Sequence, residues 1–270
     1  MLCYPNAKIN LGLKVISKRA DGFHNLDSLF VPIPLFDILE VKKQLLPIQD
    51  TIITYSGLNC NTINNDLVIA AYNMLNNDFS LQPIRVHLHK TIPFGSGLGG
   101  GSADGAFMLM TLNRLFNLDL SQAQLLDYAH RLGSDCPFFI INQFSHVSNT
   151  GDVVRPINFS FNGYYIVVLK PEINCSTKNI FSRYQIAKQD SSLIQFDQNI
   201  LSWKKELVND LELITFALYP ELQQLKDYLY DQGAIYASMS GSGSSIYGIF
   251  NQQPEIDTNI SCWTWEGFFR

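Results

Sequence analysis

The stretch Pro93-Phe94-Gly95-Ser96-Gly97-Leu98-Gly99-Gly100-Gly101-Ser102-Ala103-Asp104-Gly105-Ala106 is the most informative part of the sequence. It holds six glycines and continues into an apolar segment of helical period, residues 106–118. Glycine lets backbone N–H groups converge on a ligand without a Cβ in the way. A helix that starts there adds unpaired N–H groups and the positive end of its dipole. The stretch therefore predicts an anion site, with phosphate as the favoured anion.

Three kinds of glycine-rich phosphate-binding loop are distinguished by their sequence patterns. A Walker A loop needs a lysine after its glycines, and none is present here. A dinucleotide loop is matched by Gly95, Gly97 and Gly100, with Asp119 near the expected acidic position, but that pattern alone is weak. The third pattern, Pro-x-Gly-x-Gly-Leu-Gly-Gly-Gly-Ser followed by Ser or Ala, fits throughout. In this loop the chain resembles the GHMP kinase superfamily.

Composition excludes several classes of protein. The chain has 270 residues, of which 46% are hydrophobic and 16% charged, so it can bury a substantial core. The net charge is −5 and no basic block occurs, which disfavours nucleic acid as a partner. The five cysteines are scattered and never form C-x-x-C, so we expect neither a zinc site nor a disulfide framework.

The sequence also bears on location. Residues 1–6 show no apolar signal segment, and no apolar run approaches the ~18 residues of a membrane span. We therefore expect a cytoplasmic protein with no membrane partner. We also expect a monomer or weak homodimer.

Strand-period and helix-period segments occur in both halves of the chain, which predicts an α+β fold. Residues 9–15 alternate as a strand, while Pro32 and Pro34 predict an irregular or edge strand pair over 31–41. Helices are predicted at 67–75, and at 121–132 between a Ser121 cap and Gly133.

The composition shifts near residues 152–164, which become rich in Pro, Asn and Gly. We therefore expect an N-terminal GHMP kinase domain over 1–155, carrying the phosphate loop, and a C-terminal GHMP kinase domain over 156–270. The resemblance implies a two-lobe fold with the active site in the cleft between the lobes.

Two further segments strengthen the resemblance. Residues 5–11 (PNAKINL) and residues 239–245 (MSGSGSS) match the other two recurrent motifs of the superfamily, in the right order. Residues 19–24 (RADGFH) are typical of one branch, whose substrate is an alcohol carrying a cytidine diphosphate group. The resemblance, which covers nearly the whole chain, implies a kinase that uses ATP and Mg²⁺.

The resemblance assigns catalytic roles to Lys8 and Asp135. Asp135 lies in Gly-Ser-Asp-Cys-Pro, the family's catalytic-aspartate segment, and a carboxylate there can accept the proton of the acceptor hydroxyl. Taken alone, Asp135 is equally typical of a helix N-cap. Lys8 is the matching lysine, which would hold the aspartate ionised and stabilise the transferring phosphoryl group.

The expected nucleotide contacts begin with Lys90, just before the loop, although an edge-strand lysine facing solvent would fit as well. Ser102 would offer its hydroxyl to a phosphate or to Mg²⁺, or cap the helix; no other magnesium ligand is identified. Asn65 and Leu67 match a family segment beside the adenine pocket. The loop contacts are Pro93, Gly95, Gly97, Leu98, Gly99, Gly100 and Gly101.

Substrate contacts are implied by the same resemblance. Phe23 and Phe181 would stack on the cytosine ring, and His24 would hydrogen-bond to its edge. Asn10 and Thr177 would contact the rest of the substrate. The glycine–serine segment would close over the site through three residues: Gly241, Ser242 and Gly243.

The sequence leaves three alternative functions open. A sibling kinase for mevalonate or homoserine would share the phosphate loop but not usually the RADGFH element. A dinucleotide-dependent oxidoreductase would explain Gly95, Gly97 and Gly100 but not the other two motifs. A nucleotide-binding regulator without catalysis would not need Lys8 and Asp135.

Overall fold

The computed structural model describes residues 1–44, 50–58, 66–184, 193–194, 196–257 and 261–269. Over these ranges the strands are β1 (Leu2–Cys3), β2 (Asn6–Lys18), β3 (His24–Phe36), β4 (Ile38–Lys43), β5 (Ile52–Gly57), β6 (Ile84–Lys90), β7 (Ser145–Asn149), β8 (Val153–Pro156), β9 (Tyr165–Lys170), β10 (Tyr236–Met239), β11 (Ile246–Phe250) and β12 (Trp263–Phe268). The helices are α1 (Leu67–Phe79), α2 (Gly100–Phe116), α3 (Gln122–Leu132), α4 (Cys136–Ile141), α5 (Thr177–Arg183), α6 (Trp203–Glu206), α7 (Glu212–Leu218) and α8 (Pro220–Asp231). The predicted α+β class is confirmed.

The chain forms two compact units that are discontinuous in sequence. The first unit comprises Met1–Ala7, Leu35–Phe94 and Gly99–Gln143, and the second comprises Lys8–Pro34, Gly95–Leu98 and Phe144–Arg270. The predicted division at residue 155 stays a prediction.

The first unit is built on a sheet of order β1-β4-β6-β5. β4 runs antiparallel to β6, and β5 runs parallel to it. Alternate β6 side chains, Ile84, Val86 and Leu88, are buried, as the strand period predicts. Helices α1, α2, α3 and α4 pack against one another, with α1 against α2 as the most extensive contact.

Local signals define the helix ends of this unit. The Asp66 carboxylate accepts the Val68 N–H at the start of α1, and Ser121 and Gln124 form a reciprocal capping box at α3. Gly133 ends α3 as predicted. α2 begins at Gly100, six residues before the segment whose apolar period predicts it, because its first turn is made of small residues that carry no periodic pattern.

The second unit contains two sheets. β2 and β3 form one with β7 and β8, in the order β2-β3-β7-β8, and the other has the order β10-β11-β9-β12. β3 runs through Pro32 and Pro34 and ends at Phe36, with only Asp37 between it and β4, so residues 31–41 form an irregular strand pair as predicted. The β7 ladder covers only Leu26 to Phe30, so the missing proline N–H groups interrupt no bond on that side.

The core of the second unit lies between the β10-β11-β9-β12 sheet and the C-terminal helices. Leu169 and Ile246, on paired strands, pack in one cluster with Leu222 and Leu229 of α8 and with Ile180 of α5. Among the described residues, no helix is both long and apolar enough to cross a membrane.

Candidate active site

The glycine stretch has a backbone that an ordinary residue would adopt only with strain. Gly95, Gly97 and Gly99 have φ values of +61°, +79° and +74°, in the left-handed region. Gly99 occupies the N-cap of α2, where it supplies no side chain to the first-turn N–H groups. Those groups and the helix dipole then favour an anion at the start of α2.

Ser102 is inside the first turn of α2, so the interpretation of this serine as the helix N-cap is wrong. α2 packs against α4, whose first residue is Cys136. This contact places α2 beside the segment that carries Asp135.

Asp135 occupies the N-cap position of α4, but its side chain accepts no capping hydrogen bond from the helix backbone. The half-buried carboxylate is therefore not committed to capping. Burial, and secondarily the charge of Asp135, raise the pKa of the Cys136 thiol to about 12, so that neighbouring thiol stays protonated. Of the two residues predicted to be catalytic, Lys8 and Asp135, Asp135 lies in the first unit.

Lys8 lies on β2 in the second unit and is 3% exposed. Its ammonium donates to Asn10 Oδ1 at 2.6 Å and lies 4.3 Å from the ring centre of Phe30. Asn10 in turn donates from Nδ2 to the Ser28 hydroxyl at 3.0 Å. The Lys8 side chain therefore does not face solvent but is held in a buried polar network.

The three sequence motifs meet within the second unit. The Lys8 N–H donates to the Leu98 carbonyl at 2.9 Å, which joins β2 to the glycine stretch. The Ser240 hydroxyl donates to the Gly97 carbonyl at 2.8 Å and accepts the Asn10 N–H at 3.3 Å. A Cβ on Gly97 would lie 2.0 Å from the Ser240 carbonyl oxygen, so glycine is needed for this approach.

The segment of residues 240–244, called here the serine–glycine turn, follows β10. Gly241 and Gly243 have φ values of +59° and +89°. The Ser242 hydroxyl lies 2.8 Å from the hydroxyl of Thr177, at the start of α5. The structure thus brings together, in one unit, the turn residues and Thr177 that the sequence assigns to substrate contact.

Lys90 proves to be a buried residue of an internal strand, so the alternative of an edge-strand lysine is wrong. Its ammonium pairs with Asp37 and, at 2.5 Å, with Asp104. The Asp37 carboxylate also accepts the N–H groups of Thr91 and Ile92, where β6 leads into the glycine stretch. The predicted contact of Lys90 with nucleotide stays a prediction, and both carboxylates compete for its charge.

Burial raises the pKa of Asp104 to about 8, against the opposing effect of the Lys90 charge. The Asp104 Oδ1 atom is buried without a hydrogen-bond partner. Two carboxylates around one ammonium leave one carboxylate uncompensated, and protonation of Asp104 removes that excess charge.

Leu67, predicted beside the adenine, is the first residue of α1. Asn65, predicted with it, lies outside the described residues. Asp66 between them caps α1 and accepts a hydrogen bond from the Tyr55 hydroxyl.

His24 and Phe181 stack with their ring centres 5.1 Å apart and their planes at 28°. Phe23 beside them is 61% exposed. Burial, and secondarily the charge of Lys18, lower the pKa of His24, so the imidazole is neutral at pH 7. A neutral imidazole offers one donor and one acceptor, which suits recognition of a base edge.

Sequence reasoning missed two polar residues that hold the serine–glycine turn. The Asn209 amide donates to the carbonyls of Met239 and Gly241, and the Glu212 carboxylate accepts the Met239 N–H. Both lie about 30 residues upstream of their partners, so neither periodicity nor spacing could reveal them.

Within the described ranges, no group of three or more His, Cys, Asp or Glu side chains could hold a metal ion. Mg²⁺ in phosphoryl-transfer enzymes is held largely by substrate phosphates, and a serine or threonine hydroxyl beside the phosphate loop can be one of its protein ligands. Ser102, in the first turn of α2, fits that role.

The family models agree with these observations. The model described as GHMP kinases N terminal domain matches residues 66–143, and that described as GHMP kinases C terminal matches residues 192–261. The chain belongs to the GHMP kinase family.

The curated relatives bear a more particular name. A 4-diphosphocytidyl-2-C-methyl-D-erythritol kinase of Bacteroides fragilis is 44% identical over 258 residues, covering 95% of this chain and 94% of that protein. One from Parabacteroides distasonis is 41% identical and covers 99% of each.

Solved structures agree. A crystal structure of 4-(cytidine 5'-diphospho)-2C-methyl-D-erythritol kinase matches with a TM-score of 0.76 and 28% identity, over 92% of this chain and 89% of that one. The mevalonate kinase of Methanococcus jannaschii matches over 93% and 90% with a TM-score of 0.67 and 14% identity, a likeness of fold alone.

Proposed function

We propose that the protein transfers the γ-phosphoryl group of ATP to the 2-hydroxyl of 4-diphosphocytidyl-2-C-methyl-D-erythritol, a step in making isoprenoid precursors by the non-mevalonate route. The observation that carries this proposal is the meeting of β2, the glycine stretch and the serine–glycine turn around Gly97, Ser240 and Asn10. The names of the relatives support the choice of acceptor.

In the proposed reaction, the 2-oxygen forms a bond to the γ-phosphorus as the bond from phosphorus to the bridging β,γ-oxygen breaks. ADP leaves with the electron pair of that bond. Asp135 accepts the hydroxyl proton, which raises the nucleophilicity of the oxygen as it attacks. The glycine stretch contributes fixed N–H dipoles that need not reorganise as charge develops.

Lys8 is proposed to act as a fixed positive charge in this step. Its ammonium is buried and oriented by Asn10, so the protein has already desolvated it before substrate binds. A buried cation stabilises developing phosphoryl charge more strongly than a hydrated one. Mg²⁺, when bound with ATP, would neutralise phosphate charge, and Ser102 is the residue that would offer it an oxygen.

For the cytidine group, we propose that Phe181 and Phe23 provide aromatic faces and that neutral His24 reads the base edge. The existing His24–Phe181 stack shows that a flat ring already packs on Phe181. Thr177, Ser242 and Asn10 would contact the remaining polar groups. An exposed Phe23 is consistent with a surface that substrate covers.

The test uses three separate reactions, each containing the purified protein, ATP and Mg²⁺. The acceptor is the cytidyl substrate in the first, mevalonate in the second and homoserine in the third. ADP release and product mass are followed. The proposal predicts phosphorylation of the cytidyl substrate alone. Turnover of mevalonate or homoserine instead would contradict the acceptor assignment while leaving the family intact.

A further inference from the structure

The serine–glycine turn is held by the side-chain amide of Asn209. Its Nδ2 donates to the carbonyls of Met239 and Gly241, each at 2.8 Å. Its Oδ1 accepts the Leu211 N–H at 3.0 Å, so both ends of the amide are engaged. Asn209 is 1% exposed, and the two N–H donors therefore cannot exchange these carbonyls for water without opening the structure.

The segment that carries Asn209 is itself fixed to β2. Leu13 N–H donates to the Val208 carbonyl at 3.1 Å, and Asp210 N–H donates to the Leu13 carbonyl at 2.8 Å. β2 also carries Lys8 and Asn10. Asn209 therefore links the strand of the proposed catalytic lysine to the turn that contacts Asn10 and Gly97.

Glu212 completes the support. Its Oε1 accepts the Met239 N–H at 2.8 Å and the Ser238 hydroxyl at 2.9 Å, and its Oε2 accepts from Lys226 at 2.6 Å. Both the N–H and the carbonyl of Met239 are thus held by side chains of one short segment. The turn begins at the next residue, Ser240, so its starting point cannot shift freely.

We propose that Asn209 is a positioning residue for phosphoryl transfer: it sets the serine–glycine turn against Gly97 and Asn10. This inference rests on the proposed kinase activity. Asn209 itself touches no reacting atom; it acts through Ser240, whose hydroxyl reaches the glycine stretch. Displacement of a positioning element by about 1 Å is enough to cost about 100-fold in rate.

The test compares two isosteric Asn→Asp changes. Asn209→Asp removes both donors and turns a carboxylate toward two carbonyl oxygens. Asn113→Asp is the matched control, because the Asn113 amide likewise donates to a backbone carbonyl and accepts a backbone N–H, both of Leu120. Steady-state kinetics are measured well below the melting temperature of each variant. Hydrogen exchange of the peptide spanning residues 238–246 is measured in parallel.

For Asn209→Asp we expect kcat to fall about 100-fold and exchange in that peptide to become faster. The KM for the acceptor should also rise, because the displaced turn carries Ser242, which is proposed to contact it. For Asn113→Asp we expect a lower melting temperature, an unchanged kcat and unchanged exchange in the turn. A kcat for Asn209→Asp within about threefold of the wild type would overturn the proposal. So would equal losses of kcat in the two variants, which would indicate a general structural effect.

Two results call for a second measurement: a variant that does not fold, and a wild type that shows no kinase activity. If Asn209→Asp does not fold, Asn209→Ser takes its place, because the shorter side chain reaches neither carbonyl and adds no charge; we expect the same fall in kcat and the same faster exchange, and a kcat near that of the wild type would overturn the proposal. If the wild type phosphorylates none of the acceptors, the proposed function fails. Exchange then decides whether Asn209 holds the turn: no acceleration in the variant overturns that role, and acceleration confined to the turn supports it.

Discussion

Replacing Gly97 with alanine is expected to separate the glycine stretch from the serine–glycine turn. The new Cβ would lie 2.0 Å from the Ser240 carbonyl oxygen and 3.3 Å from that of Gly243. Since Cβ atoms essentially never approach other atoms closer than 3.0 Å, the two backbones must move apart by about 1 Å. Both obstacles are backbone atoms, so no side-chain rotation relieves the contact.

Two energetic consequences follow from this geometry. Alanine at φ +79° costs about 1–2 kcal/mol in backbone strain. The displacement of about 1 Å is expected to lower kcat about 100-fold, because Ser240 and Gly97 no longer keep their spacing. The first effect appears as a lower free energy of unfolding in urea, and the second in a coupled assay of ADP release.

Gly163→Ala is the matched control. Gly163 has a φ of +92°, but a Cβ there would meet nothing within 4 Å. We expect this variant to lose about 1–2 kcal/mol of stability from strain and to keep its kcat. The reasoning is refuted if Gly97→Ala retains the activity of Gly163→Ala, since the close approach of the two loops would then have no catalytic consequence.

Three further changes have distinct signatures. Because burial raises the pKa of Asp104 to about 8 from 3.8, the folded state holds a proton that the unfolded state has lost between these values. The free energy of unfolding should therefore fall as pH rises from 5 to 8, by at most about 1.4 kcal/mol per pH unit. In urea titrations Asp104→Asn should flatten this slope, and equal slopes in the variant and the wild type would contradict the role of Asp104. Phe181→Ala should raise KM for the cytidyl substrate about 10- to 100-fold by loss of stacking, with KM for ATP unchanged in the same assay. Asp135→Asn should lower kcat by about 10²–10⁴ while calorimetry shows ATP-analogue binding intact; full activity would remove Asp135 from the proposed base role.

Features decided by neighbouring residues could be predicted from the sequence. The alternation in 9–15 and the capping residues Asp66 and Ser121 predict elements that the structure contains. Apolar alternation and side-chain capping act over a few residues, so they are visible without knowledge of the fold. The three motifs likewise identify the family, because each is a short continuous string.

Features decided by distant residues could not be predicted. Lys90 looks like a strand-end lysine until Asp37, between β3 and β4, and Asp104 of α2 are placed beside it by the fold. β3 tolerates its two prolines only because the β7 ladder ends before them. Asn209 becomes informative only when the fold brings β10 and the following turn to its amide. In each case the deciding partner is tens of residues away in sequence.

The proposed specificity can be tested most directly by competition in a single reaction. The protein is given limiting ATP with equimolar 4-diphosphocytidyl-2-C-methyl-D-erythritol, mevalonate and homoserine, and the transferred phosphate is located by mass and by NMR. We predict that the phosphate is found on the 2-oxygen of the cytidyl substrate and on neither competitor. Phosphate on mevalonate or homoserine, or on another oxygen of the cytidyl substrate, would contradict the proposed function.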